Sequence, residues 1–194
     1  MKYYLASASP RRRELLQKII PEFEIVVPSI KEFTAKTKPE EVVQDLARQK
    51  CDAALKILQS GKTDAGGNAL QTIIIASDTL VFFKDKALGK PANDAEAFSM
   101  ISALSGNWHS VYTGVCLQDL SGKTDTFFCR TQVEIPKLAE REIYDYIATG
   151  SPFDKAGGYG IQDFGGKDAF NIKGSYDNVM GLPTEMLNEH LKNF

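Results

Sequence analysis

The residues that could do chemistry begin with three consecutive arginines, Arg11–Arg13, directly after Ser9-Pro10. A serine followed by proline predicts the start of a helix, so these cations would lie in its first turn. That end of a helix already carries free backbone amides and a partial positive charge, which favour an anion over further cations. A phosphate bound at Ser7-Ala8-Ser9 would account for the arginines, and a solvated basic face is the alternative.

Lys50 and Asp78 are charged residues inside apolar patterns. In a helical projection Lys50 falls near the middle of an apolar stripe, so it must extend to solvent, pair with a carboxylate or face a polar cleft. Asp78 stands between Ile73–Ser77 and Leu80–Phe83, where a carboxylate is costly unless it is paired, bound to metal or at the end of a strand. Both are candidate site residues, and a structural salt bridge is the alternative for Asp78.

Glycines are concentrated late in the chain, between Gly150 and Gly181. This region contains the segment Asp154–Gln162, which reads DKAGGYGIQ. Such a segment permits close approach of the backbone to a ligand, but it is neither a Walker A loop nor a GxGxxG element. An ordinary irregular loop is the alternative.

Composition and charge exclude several classes of protein. Of the 194 residues, 43% are hydrophobic and 25% are charged, which is typical of a globular protein rather than a disordered chain. The 23 basic and 25 acidic residues leave a net charge of −2, which argues against a nucleic-acid partner because general nucleic-acid binding needs a positive field. The sequence has no apolar run of membrane-spanning length and no signal-peptide pattern, so we expect no membrane partner and a cytoplasmic location.

The cysteines and histidines indicate no metal centre of their own. Cys51, Cys116 and Cys129 have no zinc-ligand spacing, so we expect thiols in a reducing compartment. His109 and His190 are far apart in the sequence, and we expect His109 to be structural.

Signals for helices and strands alternate along the whole chain. The sequence predicts helices from a Ser9 cap to about Ile20, from a Thr37–Glu40 capping box to about Gln59, from an Asn93 cap to Leu104, over about 139–149, and from near Pro183. It predicts strands over about 3–6, 24–27, 71–83, 109–117 and 124–135, a turn at 119–123 that joins the last two as a hairpin, and a polar loop over 60–68. This alternation predicts an α/β fold in which helices flank a mixed sheet. With no linker in the chain, we expect a single domain over 1–194, either as one body or as two lobes that share the sheet.

Taken together and in order, these segments resemble the Maf-type nucleotide pyrophosphatases, also called the septum-formation-inhibitor family. The matching pieces are Leu5–Arg12, Leu46–Lys50, Ala76–Thr79, Gly89–Pro91, Leu104–Gly106, His109–Val111, Asp154–Gly157, Tyr159–Gln162, Gly174–Tyr176 and Gly181–Pro183. No single piece is specific to the family, but the ordered set is, and it spans nearly the whole chain. The resemblance implies a mixed sheet in two lobes around a central cleft, similar to the inosine-triphosphatase architecture.

The resemblance also implies roles for individual residues. The family's catalytic aspartate matches Asp78, which would act either as the base for the attacking water or as a metal ligand. The family's substrate-selecting positions match Arg11, Thr79 and Gln162. Its supporting polar residues match Ser7, Arg12, Glu32, Lys50, Lys90, Asp154 and Lys155. Lys90 also suits an ordinary surface turn.

The implied reaction is the hydrolysis of dTTP and UTP to the nucleoside monophosphate and pyrophosphate. The Tyr159–Gln162 block resembles the branch of the family with these substrates, and modified pyrimidine nucleotides belong to the same house-cleaning role, which is linked to division arrest. Basic residues would neutralise the phosphates of the nucleoside triphosphate. A divalent cation, Mg²⁺ or Mn²⁺, would be held by Asp78 and Glu32 together with substrate oxygens.

Two other functions stay open on the sequence. One is a nucleotide-binding regulator of septation with little catalysis, and the other is the same hydrolase with a preference for 7-methyl-GTP. The family often dimerises, which favours a homodimer.

Overall fold

The structure is a computed structural model that describes residues 1–61, 72–164 and 170–194. The strands of these residues are β1 (Lys2–Leu5), β2 (Glu24–Ile25), β3 (Thr72–Phe83), β4 (Lys86–Leu88), β5 (Trp108–Asp119), β6 (Thr124–Glu134) and β7 (Asn171–Lys173). The α-helices are α1 (Pro10–Gln17), α2 (Pro39–Gln59), α3 (Asp94–Leu104), α4 (Glu140–Ala148), α5 (Tyr176–Met180) and α6 (Thr184–Asn193). Two short 3₁₀ helices, Ser151–Asp154 and Ala156–Gly158, follow α4.

The strands form one mixed sheet, in agreement with the predicted α/β class. Its order is β2-β1-β3-β5-β6-β7, with β4 paired to β3. β1 runs parallel to both β2 and β3, whereas β3–β4 and β6–β7 are antiparallel pairs. The predicted hairpin of β5 and β6 is confirmed, since the two strands are neighbours and the Asp119 amide donates to the Lys123 carbonyl across the turn at 3.0 Å.

The chain folds into two compact units, where the sequence had left one body and two lobes as alternatives. The first unit comprises Met1–Asp78, Thr113–Cys129 and Gly181–Phe194, and the second comprises Thr79–Tyr112 and Arg130–Met180. The long strands β3, β5 and β6 each contribute residues to both units.

The core of the first unit forms between the apolar side of α2 and the sheet. Its buried residues are Tyr4, Ala6, Val26, Ala47, Cys51, Ala54, Leu58, Ile74, Ala76 and Cys116. Gly114 of β5 allows the close approach of α2, because a Cβ at this position would collide with the backbone of Val43 and Gln44. The helix that carries Lys50 is therefore held close to the sheet.

The second unit has its own core, to which α3 and α4 contribute. Its buried residues are Val81, Ala97, Ile101, Leu104, Val111, Val133, Ile135, Ile143, Tyr146, Ile147, Tyr159, Ile161 and Phe170. The Tyr159–Ile161 part of the glycine-rich segment is thus anchored by apolar burial, which restricts the backbone next to Gln162.

Helix α1 begins as predicted and ends earlier. The Ser9 hydroxyl accepts from the Arg12 amide at 3.5 Å, and Pro10 occupies the first helical position. The helix ends at Gln17 instead of Ile20, because Ile20 precedes Pro21 and a residue before proline disfavours the helical conformation.

The predicted capping box at Thr37–Glu40 is wrong. The N-cap of α2 is Lys38, whose side chain makes no capping hydrogen bond. Lys38 is extended, with ψ of 131°, because it precedes Pro39, so the helix can only begin at the proline. By contrast, the predicted Asn93 cap of α3 is confirmed, since its side chain accepts from the Glu96 amide at 2.9 Å.

Several short elements are absent from the sequence prediction, and one prediction is untested. β4, β7 and α5 were not predicted, and β2 is shorter than the expected strand. Most of the predicted polar loop, residues 62–68, lies outside the described residues. Within the described part of the chain, no helix combines the length and the apolar composition needed to cross a bilayer.

Candidate active site

Asp78 lies in β3 just beyond its pairing with β1. The pairing runs from Thr72 to Ile75, and the Ala6 amide continues it by donating to the Ile75 carbonyl at 2.8 Å. Asp78 therefore lies beside the segment that follows the carboxyl end of β1, and open α/β sheets bind their ligands at the carboxyl ends of their parallel strands. The Asp78 side chain is only 14% exposed, so its charge requires a partner.

Lys50 of α2 is that partner. Its side chain is also 14% exposed, and its ammonium pairs with Asp78 Oδ1 and, at 3.4 Å, with Glu32 Oε1. Of the alternatives for a lysine in an apolar stripe, the structure thus shows pairing with carboxylates. Two carboxylates converge on one cation, and both they and the lysine were predicted as site residues.

Arg12 brings a second cation to the same region. It stands in the first turn of α1, where Ser9 caps the helix, and its Nε donates to the Gly181 carbonyl at 3.0 Å. One terminal guanidinium nitrogen, Nη1, donates to the Ser7 hydroxyl at 3.4 Å, and the Ser9 amide donates to that hydroxyl at 3.2 Å. Ser7 is buried, so it holds the guanidinium rather than facing solvent.

The electrostatic environment of Arg12 links it to the carboxylates. Burial lowers the pKa of Arg12, whereas the charges of Asp78 and Glu32 raise it, and the charge of Arg11 lowers it further. A guanidinium keeps its proton at neutral pH even so. Arg11, Arg12 and Lys50 therefore place three positive charges against two negative ones, which suits a polyanion such as a phosphate chain.

Three of the predicted site residues, Thr79, Lys90 and Gln162, belong to the second unit. Thr79 follows Asp78 directly in β3 and is partly buried, and Lys90 is exposed beside Pro91. Gln162 is exposed in the turn that follows the buried Ile161. The substrate contacts of these three side chains stay predictions.

Lys155 is engaged within its own loop. Its ammonium donates to the Ser151 carbonyl at 2.6 Å, to the Ser151 hydroxyl at 2.9 Å and to Asp154 at 2.7 Å, and lies 3.7 Å from Asp163. Asp163 also accepts from Tyr146 at 2.7 Å and from Ser151 at 2.8 Å. Lys155 and Asp154 thus shape the loop, and contact with substrate stays a prediction for both.

The glycines of this loop serve its conformation and packing. Gly157 and Gly158 have φ of 71° and 73°, which side chains rarely adopt. Gly160 lies against Lys155 and Asp163, where a Cβ would collide with both side chains. The residues that complete this network, Asp163 and Ser151, carry no sequence signal that would have identified them.

One backbone group near Asp78, the Gly181 carbonyl, was not predicted from the sequence. The Gly181 carbonyl accepts from Arg12 and from the hydroxyl of Ser77, which is fully buried and precedes Asp78; both distances are 3.0 Å. A carbonyl has no residue-type signature, so only the resemblance of Gly181–Pro183 to the family pointed to this segment.

Comparison with known proteins places the chain among relatives of similar length. It is 45% identical over 197 residues to the dTTP/UTP pyrophosphatase of Clostridium perfringens, covering 100% of this chain and 97% of that protein. It is 43% identical over 193 residues to the dTTP/UTP pyrophosphatase of Carboxydothermus hydrogenoformans, covering 99% and 98%.

The fold also has a counterpart among solved structures. The Staphylococcus aureus Ham1 protein is similar with a TM-score of 0.54 at 14% identity, covering 100% of this chain and 99% of that one, which is a likeness of fold alone. The model of the family described as Maf-like protein matches residues 2–194. With this match over almost the whole chain and relatives at 43–45% identity, the chain belongs to the Maf-like protein family.

Proposed function

We propose that this protein is a nucleoside triphosphate pyrophosphatase that hydrolyses dTTP and UTP to the nucleoside monophosphate and pyrophosphate. The observation that carries the proposal is the convergence of Asp78 and Glu32 on Lys50, with Arg12 beside them. The names of its full-length relatives support the reaction and the choice of pyrimidine substrates.

The cations bind the triphosphate. Arg11, Arg12 and Lys50 compensate the negative charge of the phosphate oxygens and of the pyrophosphate that leaves. We expect Lys90, which the sequence predicts as a site residue, to contribute a further positive charge. Because Arg12 is fixed through Gly181 and Ser7, its guanidinium is oriented before the substrate arrives, which lowers the entropic cost of binding.

Asp78 acts on the attacking water or helps to hold a metal ion. In the structure one of its oxygens is paired with Lys50. When a phosphate oxygen replaces Asp78 as the partner of the Lys50 ammonium, the Asp78 carboxylate becomes available to accept a proton from water. The oxygen of this water bonds to the α-phosphorus, the bond from the α-phosphorus to the bridging oxygen breaks, and pyrophosphate leaves with its charge compensated by the cations.

The carboxylate pair suits a divalent metal ion. Within residues 1–61, 72–164 and 170–194, no group of three or more His, Cys, Asp or Glu side chains could hold a metal. Asp78 and Glu32 nevertheless share one cation, and two carboxylates supplemented by phosphate oxygens are the usual ligands of Mg²⁺ in phosphate-transfer sites. Asp78 and Glu32 would therefore hold Mg²⁺ or Mn²⁺, and the bound ion would neutralise the phosphates and polarise the phosphorus–oxygen bonds.

Selection of the base is assigned to Arg11, Thr79 and Gln162. The amide of Gln162 and the hydroxyl of Thr79 can each donate and accept hydrogen bonds, as the edge of uracil or thymine requires. Asp154 and Lys155 contribute by holding the loop that carries Gln162. We further propose that the chain works as a single domain over 1–194, as a homodimer and in the cytoplasm, where its nucleotide substrates are found.

The proposal is tested with a panel of nucleotides. The purified protein is incubated with dTTP, UTP, CTP, ATP, GTP and 7-methyl-GTP in the presence of Mg²⁺ or Mn²⁺, and the products are separated by ion-exchange chromatography. We expect dTMP or UMP together with pyrophosphate. Binding of nucleotides without turnover would indicate a nucleotide-binding regulator instead, and faster turnover of 7-methyl-GTP would indicate the other branch of the family.

A further inference from the structure

Gln49 connects α2 to the irregular segment that carries Glu32. Its Nε2 donates to the Phe33 carbonyl at 2.7 Å, and the Phe33 amide donates to Gln49 Oε1 at 3.4 Å. One side-chain amide thus satisfies both backbone groups of a single residue, as a neighbouring strand would. The Phe33 side chain is 76% exposed, so burial of that side chain does not hold this part of the segment.

The orientation of the Gln49 amide is itself set by a neighbour. Asp45, one turn earlier on α2, accepts from Nε2 at 3.0 Å. Because a carboxylate only accepts hydrogen bonds, it directs the nitrogen of the amide towards itself and leaves the oxygen for the Phe33 amide. Asp45 therefore favours the orientation of the Gln49 amide that bonds to Phe33.

The two bonded residues are the chain neighbours of two site residues. Gln49 precedes Lys50, and Phe33 follows Glu32, whose carboxylate lies 3.4 Å from the Lys50 ammonium. The Glu32 side chain is 40% exposed, and an ion pair of that exposure gains too little free energy to order an irregular segment. The two hydrogen bonds between the Gln49 side chain and the Phe33 backbone, here called the amide clamp, restrict this segment in addition to the ion pair.

We propose that Gln49 is a positioning residue that holds Glu32 within reach of Lys50 and Asp78; this rests on the proposed function of that site. Replacing Gln49 removes the clamp while every charged group of the site stays in the protein. Loss of these hydrogen bonds should then lower the turnover and loosen the segment around Phe33. It should not affect the folding of α2, because other residues form the buried side of that helix.

The first experiment is a double-mutant cycle on dTTP hydrolysis. Gln49→Met keeps the length of the side chain and the helix propensity of the position but removes both hydrogen bonds to Phe33. We expect kcat to fall about 10-fold, which is typical when a residue that orients a charged site residue is replaced. The melting temperature should stay unchanged. In a Glu32→Gln background, the same substitution should have no further effect, because the carboxylate that it positions is gone.

The matched control is Gln44→Met. Gln44 lies on the same helix, but its amide donates to the Glu40 carbonyl within that helix at 2.9 Å. We expect its kcat to equal that of the wild type. Full activity of Gln49→Met, or effects of Gln49→Met and Glu32→Gln that multiply in the double variant, would overturn the proposal.

A second readout does not depend on turnover. Chymotrypsin cleaves after exposed phenylalanine in irregular segments, so loss of the clamp should increase the rate of cleavage after Phe33 in Gln49→Met and leave the rate unchanged in Gln44→Met. Equal cleavage rates in all three proteins would overturn the clamp itself. A wild-type protein without turnover would instead contradict the proposed function, while the cleavage rates would still decide whether Gln49 anchors the segment.

Discussion

Lys50 contacts both candidate carboxylates, so its replacement separates a catalytic role from a structural one. We expect Lys50→Met to lower kcat/KM for dTTP at least about 100-fold, because a preorganised charge next to the phosphates is lost. The melting temperature should fall by no more than about 5 °C, since methionine suits the apolar side of α2 and the charge of Arg12 still acts on Asp78. Lys56→Met, at an exposed position of the same helix, is the control and should keep full activity. Preserved turnover with a large fall in melting temperature would make Lys50 a structural residue.

The residues of the site differ in how far the sequence could reveal them. Lys50 and Asp78 interrupt apolar patterns, and burial of a charge has a cost that predicts a partner for each. Glu32 is an exposed acid in an irregular segment, so no pattern marks it, and only the resemblance to the family assigned it. Gln49 and Gly181 act through hydrogen bonds to or from the backbone, which leave no trace in a pattern of residue types.

Among the elements, the loop after α4 depends on Lys155. We expect Lys155→Met to lower the stability by roughly 2 kcal/mol, because Asp163 and Ser151 lose the ammonium of Lys155, whose side chain is only 10% exposed. This corresponds to a fall in melting temperature of about 5 °C, which differential scanning calorimetry measures. Lys86→Met, on the exposed strand β4, serves as the control. An unchanged melting temperature combined with a higher KM would show that Lys155 binds substrate and does not shape the loop.

The start of β5 is joined to the same loop by a hydrogen bond of 2.6 Å between His109 Nε2 and the Tyr159 hydroxyl. Burial lowers the pKa of His109 from 6.5 to about 4. Between these two pH values the unfolded chain binds a proton that the folded chain does not, so stability is complete above pH 6.5 and falls as the pH falls towards 4. The loss is on the order of 3 kcal/mol at the lower end.

Urea denaturation at pH 7 and pH 5 tests this dependence. We expect the wild type to lose more stability between the two pH values than His109→Gln, because a glutamine side chain at position 109 does not titrate. The quantity compared is the change in the free energy of unfolding between pH 7 and pH 5 in each protein. A lower stability of the variant at pH 7 therefore does not affect the comparison. Equal losses in the two proteins would show that His109 does not contribute to the pH dependence.

Elements with strong local signals were predictable and those without were not. The caps at Ser9 and Asn93 are confirmed, because a short polar side chain before a helix has a local cause. The capping box at Thr37 fails because the proline at position 39 overrides it. β4 was missed because its hairpin turns at Lys84 and Asp85, which have φ of 47° and 62° without the glycine or asparagine that usually marks such a turn.

For the molecule as a whole, we propose that the choice of base depends on Arg11, Thr79 and Gln162, which are far apart in the sequence. We expect kcat/KM for dTTP and UTP to exceed that for ATP and GTP by roughly 10- to 100-fold, because the wrong base leaves polar groups of the site without partners. Gln162→Ala should narrow this gap without abolishing the reaction, since the groups that bind phosphate are separate. Gln132→Ala, exposed on β6, is the control. Equal kcat/KM values for pyrimidine and purine triphosphates in the wild type would contradict the assignment.

The overall architecture was predictable because alternating helix and strand patterns leave few ways to bury their apolar sides, and a mixed sheet with flanking helices is one of them. The parallel register of β1 and β3 was not, because it results from contacts between residues about 70 positions apart and has no local signal. That register nevertheless places Asp78 beside the segment that follows β1 and carries Ser7 and Arg12.

We propose that Asp78, Lys50 and Glu32 together hydrolyse the α–β anhydride of a pyrimidine nucleoside triphosphate. The most direct test is a product analysis by mass spectrometry of dTTP incubated with the wild type and with Asp78→Asn in the presence of Mg²⁺. We predict dTMP and pyrophosphate from the wild type, and a rate at least about 100-fold lower for a folded Asp78→Asn protein, because the base or metal ligand is lost. Release of dTDP and phosphate by the wild type, or retention of more than about a tenth of kcat/KM by the variant, would contradict this role of Asp78 and its neighbours.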